Sequence, residues 1–126
     1  MKLDKTLAIT RRNEQLGSKV LGVNNAYFAI LNRNKNTWWF DLPIGRIQIG
    51  QFEWMHLLVH TPEGDVLQHL IVPTRFLREN LDNLEQRNAG KRKASIRLEL
   101  SADKDSRYKD VRPKGTGLEF AGFVQE

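Results

Sequence analysis

The sequence predicts an α+β domain with a central mixed or antiparallel sheet of about five to six strands and a helix over about residues 74–88 on one face. Three observations lead there. Short runs of branched and aromatic residues alternate with polar turns. FEWMHLLVH and VLQHLIV flank the turn TPEGD, the pattern of a β-hairpin. Leu77, Leu81 and Leu84 then recur at the spacing of one helix face. A chain of 126 residues fits a single core, and 40% hydrophobic against 28% charged residues is the balance of a folded domain.

Taken in order, residues 1–25 are expected to be partly helical or frayed. Leu3, Leu7, Leu16 and Val20 fit a helix that Gly17, Gly22 and the Asn24-Asn25 pair interrupt. YFAIL reads as a strand ending in the polar turn NRNKN, and TWWFDL as a strand closed by Pro43 and Gly45. With a tip at Glu63-Gly64, the hairpin sets His60 opposite Leu67, Leu58 opposite His69 and His56 opposite Ile71. Both its faces are largely apolar, as in a strand pair inside a sheet. Thr74 is a candidate N-cap for the helix, and Gly90 its stop. SIRLEL alternates apolar and polar residues like a half-exposed strand, and LEFAGFV is a candidate last strand after a polar loop over residues 102–117.

Net charge is +5, with a pI of 9.7, and the surplus lies at the two ends of the chain. Residues 1–25 hold five basic and two acidic side chains, and residues 91–126 hold nine and six. Such a balance favours a polyanionic partner. The absence of cysteine excludes disulfides and thiolate chemistry. Neither a signal-peptide core nor an apolar run of the ~18 residues needed to span a bilayer is found, so a cytoplasmic, membrane-free protein is expected.

No phosphate-binding glycine loop, nucleophile elbow or metalloprotease helix is present, and no cofactor is implied. His56, His60 and His69 fall on one face of the hairpin. Residues four apart in a strand are separated by ~13 Å, so His56 and His60 cannot share one ion, and packing is the better account. Trp38 and Trp39 must point to opposite sides of their strand, so one faces the core and the other is available beside Arg33 and Lys35 for stacking or for a protein partner. Lys91, Arg92 and Lys93, and Arg107, Tyr108, Lys109, Arg112 and Lys114, have the composition of phosphate contacts with a stacking group. Asp103, Asp105 and Asp110 dilute the second loop.

Over residues 26–86, the order YFAILNRN, NTWWFDLP and FEWMHLLVHTPEGDVLQHLIVP followed by a helix resembles the later part of the restriction-endonuclease-like, or PD-(D/E)XK, fold. That family places an acid and a lysine two residues apart on its central strand to bind metal and polarise water. Here the strand reads Tyr27-Phe28-Ala29-Ile30-Leu31-Asn32, so the resemblance carries over no cleavage chemistry. The sequence therefore points first to a non-enzymatic module binding DNA or RNA through the basic and aromatic residues named above. The alternatives are a protein-interaction module, such as an inhibitor, accessory subunit or homo-oligomer, and a divalent-metal nuclease rearranged around Asp41 and Glu53.

Overall fold

A computed structural model describes residues 3–49, 52–112 and 117–125. In chain order it contains helix α1 (Lys5–Leu16), strands β1 (Ala26–Ile30) and β2 (Thr37–Pro43), helix α2 (Ile44–Ile49), strands β3 (Trp54–Thr61) and β4 (Val66–Pro73), helix α3 (Thr74–Glu79), and strands β5 (Glu85–Arg87), β6 (Ser95–Ser101) and β7 (Val124–Gln125). The α+β class holds, with the strands divided between a four-stranded sheet, β1-β3-β4-β7, and a three-stranded sheet, β2-β6-β5.

The sheets are linked along both margins. On one side the Asn32–Thr37 bridge turns β1 into β2, and on the other the Leu100–Asp110 and Lys109–Glu119 bridges lead from β6 toward β7, which lies on β4. The inner faces meet in one core. Met55, Leu57, Val59, Leu70 and Val72 of the larger sheet pack with Trp38, Phe40, Leu42, Ile96, Leu98 and Leu100 of the smaller. Trp38 also donates its indole N–H to the His60 carbonyl at 3.2 Å, tying one sheet to the backbone of the other.

The hairpin has the register its sequence predicts, with His60 opposite Leu67, Leu58 opposite His69 and His56 opposite Ile71. Its sharp return uses positive φ at Gly64 (79°) and Asp65 (51°). A period of two sends Met55, Leu57 and Val59 into the core and His56, Leu58 and His60 to the other face. That second face is covered by α1, where Leu58 packs with Ala8, Ile9, Leu21 and Ala26. The helix is capped by Asp4, which accepts from the Leu7 N–H at 2.9 Å, and ends at Gly17 with φ 73°. The segment after it is pinned by Asn13, whose amide exchanges hydrogen bonds with both the N–H and the C=O of Leu21.

The helix expected over about 74–88 is shorter. It stops at Glu79, passes through a 3₁₀ turn at Leu81–Asn83, and yields to β5. Asn80 turns its amide onto the Phe76 carbonyl at 2.8 Å, and such local bonds compete with helix propagation. Glu85, Gln86 and Arg87 gain ladder pairing with Arg97, Ile96 and Ser95 instead. Leu77 and Leu84 still reach the core, from two different elements. Gly90, with φ 77°, serves a turn between strands rather than a helix end.

A buried polar chain fastens α1 to the sheet. The Arg12 guanidinium donates through Nε to His69 Nδ1 at 3.0 Å, and His69 Nε2 lies 2.8 Å from His56 Nδ1. Arginine can only donate, so His69 carries its proton on Nε2 and passes it toward His56, whose own proton then sits on Nε2. Both rings are neutral. Burial, then the neighbouring His56 and Arg12, lower the His69 pKa to about 4, and burial lowers that of His56. The unfolded chain thus binds protons more readily, and the chain's contribution is full above the ordinary histidine value of 6.5 and is lost as pH falls toward about 4. Urea unfolding between pH 8 and pH 4 is expected to show this loss, with a slope of up to about 1.4 kcal/mol per pH unit for one group. His69→Gln keeps a donor and an acceptor without titrating and is expected to flatten the profile; an unchanged slope would exclude the relay as its source.

Candidate nucleic-acid interface

The outer face of the larger sheet lies under α1, whereas among the described residues that of the smaller sheet is partly open: Asp41 and Arg87 are exposed and Trp39 and Arg97 half-buried, while Thr37, Ser95, Glu99 and Ser101 are buried. The antiparallel register builds its rows: Trp39 opposite Glu99, then Asp41, Arg97 and Glu85 side by side, then Pro43, Ser95 and Arg87. With Trp38 in the core, alternation sends Trp39 outward, where it is half-buried. Three cations surround its ring, with Arg112 at 4.2 Å, Arg97 at 4.9 Å and Lys35 at 5.9 Å from the centroid.

Arg112 is held there by acids. Its Nε donates to Glu85, and its Nη1 lies 3.5 Å from Glu99, whose other oxygen accepts from the Thr37 hydroxyl at 2.9 Å. The hydrogen bond to Glu85 is the main cause that raises the Arg112 pKa further above its ordinary value. Asp110 accepts from the backbone N–H groups of Glu99 and Arg112 through one oxygen, while the other is buried without a partner among the described residues. Burial pushes its carboxyl above the usual range. Arg97 Nε is likewise buried without a partner. Arg112 is thus structural cement, while Lys35 forms no ion pair among the described residues.

The face ends in a concavity of about 600 Å³ lined by Arg46, Arg87, Arg92 and Lys93 with Asp41 and Ser95 among its neighbours. Four cations meet one carboxylate there. Arg87, Arg92 and Lys93 are exposed, with no ion pair among the described residues. Arg46 is anchored through Nη1 to the Asn24 carbonyl at 2.6 Å and the Tyr27 hydroxyl at 3.1 Å.

The predicted residues therefore separate. Lys35, Trp39, Arg112, Arg92 and Lys93 belong to this face and its end, with Lys91 exposed in the adjoining turn. Trp38 and Tyr108 do not. They are 2% and 4% exposed and stack on each other in the core, centroids 5.5 Å apart. Tyr108 also donates its hydroxyl to Gln68, and burial raises its pKa. Its basic neighbours in sequence concealed an anchor that closes the loop over the core. Arg107 is exposed and reaches the Ala102 carbonyl at 3.4 Å, Lys109 is half-buried beneath Gly117, and Arg33 stands 3.9 Å from Glu63 at the hairpin tip. Lys114 lies outside the described residues. Trp54, 45% exposed, is the most open of the three tryptophans. The sequence reading missed Arg46, Arg87 and Arg97; the alternation of SIRLEL already placed Arg97 on a solvent face.

The other histidine sites do not assemble a catalytic centre. A cavity of about 740 Å³ between α1 and the hairpin tip is lined by Leu3, Leu7, Ile30, Arg11, His60 and Asp65. His60 Nε2 is bound to Asp65 at 2.8 Å, and its Nδ1 is buried without a partner among the described residues. A general base needs an accessible nitrogen, and here the carboxylate is exposed while the imidazole is hidden. The hydrogen bonds from His60 and Arg11 hold the Asp65 pKa below the usual range. Asp41 and Glu53 line different cavities, and among the described residues no three His, Asp or Glu side chains are grouped to hold a metal. No helix of the described residues is long and apolar enough to cross a membrane. The chain matches no family model, no curated protein and no solved structure.

The two adjacent tryptophans are expected to respond oppositely to truncation. Trp38→Ala empties the core and is expected to cost about 3–5 kcal/mol, with loss of the folded near-ultraviolet signal. Trp39→Ala is expected to cost roughly 1 kcal/mol or less beyond its lost cation contacts, with the fold retained. Equal destabilisation in chemical unfolding would refute the assignment of inside and outside.

Proposed function

We propose that this domain binds nucleic acid, without cleaving it, through the outer face of the three-stranded sheet. The observation that carries the reading is the continuity of that face: an aromatic ring ringed by Lys35, Arg97 and Arg112 leads by register, through Asp41 and Arg97, to Arg87, Arg92 and Lys93. Phosphates are met by mobile surface cations that have no internal partner to give up, so little must be broken when counterions leave. Bases stack on aromatic rings and on guanidinium planes alike, and the Trp39 cluster offers both. A shallow sheet face with such a cluster suits a single strand whose bases are splayed better than a closed duplex. Arg112 engages both Glu85 and Glu99 and offsets one of their two negative charges, which lessens their repulsion of a polyanion.

The reading is independent of the resemblance to the PD-(D/E)XK family. Should that resemblance reflect descent, the domain would be a binding relative without the acid and lysine of the cleavage site.

Fluorescence anisotropy with a labelled single strand tests this directly. Binding is expected at low salt and is expected to weaken as salt rises, with a log–log slope of about 0.7 per phosphate contact. The triple substitution Arg87→Glu, Arg92→Glu, Lys93→Glu is expected to lower affinity by at least about tenfold and reduce the slope by about two. Trp39 emission is expected to be quenched on binding in the wild type. Absence of binding at about 50 mM salt, or a slope unaltered by the triple substitution, would remove the proposal.

A further inference from the structure

The basic concavity has features that an open phosphate track does not need. Resting on the binding reading above, we propose that it receives the terminal phosphate monoester of a strand lying on the sheet face, so that the domain recognises a phosphorylated end.

The outer rows run from Trp39 past Asp41 to Pro43 and stop, because β2 turns directly into α2 and the Ile44 N–H bonds the Ala94 carbonyl at 3.0 Å. Pro43 and Ala94 both line the concavity, so the strand ladder ends in it. A strand following the rows arrives with an end, not with an internal linkage.

Arg46, Arg87, Arg92 and Lys93 converge from α2, β5 and the turn that follows, against Asp41 alone. An internal phosphodiester carries one negative charge, whereas a monoester carries about −1.5 to −2 at neutral pH and has three free oxygens. The excess of cations matches the second better than the first.

The concavity is also preorganised. Arg46 is fixed by Asn24 and Tyr27, so it supplies a charge that does not move. Arg92 and Lys93 ride on two consecutive turns, closed by Lys91 N–H to the Asn88 carbonyl at 2.9 Å and Ala94 N–H to the Lys91 carbonyl at 3.3 Å. Asn88 and Gly90 take positive φ, 57° and 77°, to make that double bend. Free arginine and lysine side chains on a braced loop then close on a ligand that Arg46 already attracts.

The test compares one single-stranded oligonucleotide in four forms: 5′-phosphorylated, 3′-phosphorylated, unphosphorylated and circular, each with an internal label, in anisotropy titrations against the whole domain. One terminal phosphate, 5′ or 3′, is expected to tighten binding by about tenfold, the size of one added charge-assisted hydrogen bond. Arg87→Gln and Arg92→Gln together are expected to erase that difference while the unphosphorylated form loses far less. Both side chains are exposed, so the variant retains the fold. Equal affinity for all four forms would overturn the end-recognition inference and leave the sheet face as a binding surface. Failure of every form to bind would overturn both.

Discussion

The structure depends on one indole. Trp38 lies on the inner face of the smaller sheet, donates to a carbonyl of the larger one and stacks on Tyr108, which in turn reaches Gln68. Through these contacts a single side chain holds the two sheets in register and fixes the loop that returns toward β7. Strand alternation then leaves no choice for its neighbour. Because Trp38 is inside, Trp39, Asp41 and Pro43 are outside, together with Arg97 and Ser95 across the ladder. The proposed binding face is the obverse of the core, set by the same two-residue period.

Each sheet carries a buried arginine network. Against α1, Arg12 donates to His69, which is hydrogen-bonded in turn to His56, and to Gln15. On the outer face of the smaller sheet, Arg112 meets Glu85 and Glu99 while buried Asp110 accepts backbone hydrogen bonds. Such networks fix geometry more than they add stability. Here the geometry they fix is the pose of Trp39, and the single charge of Arg112 offsets part of the negative charge of Glu85 and Glu99.

Much of the fold was legible because it rests on short-range rules. The hairpin register followed from alternation and the turn at Glu63-Gly64, and the opposite fates of Trp38 and Trp39 followed from being adjacent in a strand. The helix after Thr74 was overextended because Leu77, Leu81 and Leu84 satisfy a helical period even though Leu84 enters the core from an extended segment. Side-chain bonds of Asn80 and a ladder partner for β5 are tertiary information that periodicity does not contain. Half of the candidate site was readable for the same reason: Lys35, Trp39, Arg92 and Lys93 stand in conspicuous basic or aromatic surroundings. Tyr108 shared those surroundings and was buried, because composition does not reveal which loop residue turns inward. Arg46 and Arg87 were invisible, since only folding brings positions so far apart in sequence to one concavity.

The unequal covering of the two sheets has a consequence for how the molecule opens. The layer that α1 forms is attached through a small apolar cluster of Ala8, Ile9, Leu21, Ala26 and Leu58 and through the Arg12 chain, apart from the principal core. Such a layer is a natural unit of partial unfolding, released at lower free energy than the paired sheets. Its departure would bare Leu58, His56 and His69 on the strand pair, a surface prone to self-association. Among the described residues the outer face of the smaller sheet carries no helix layer of this kind, so transient opening and the proposed ligand contact occupy opposite sides of the same domain.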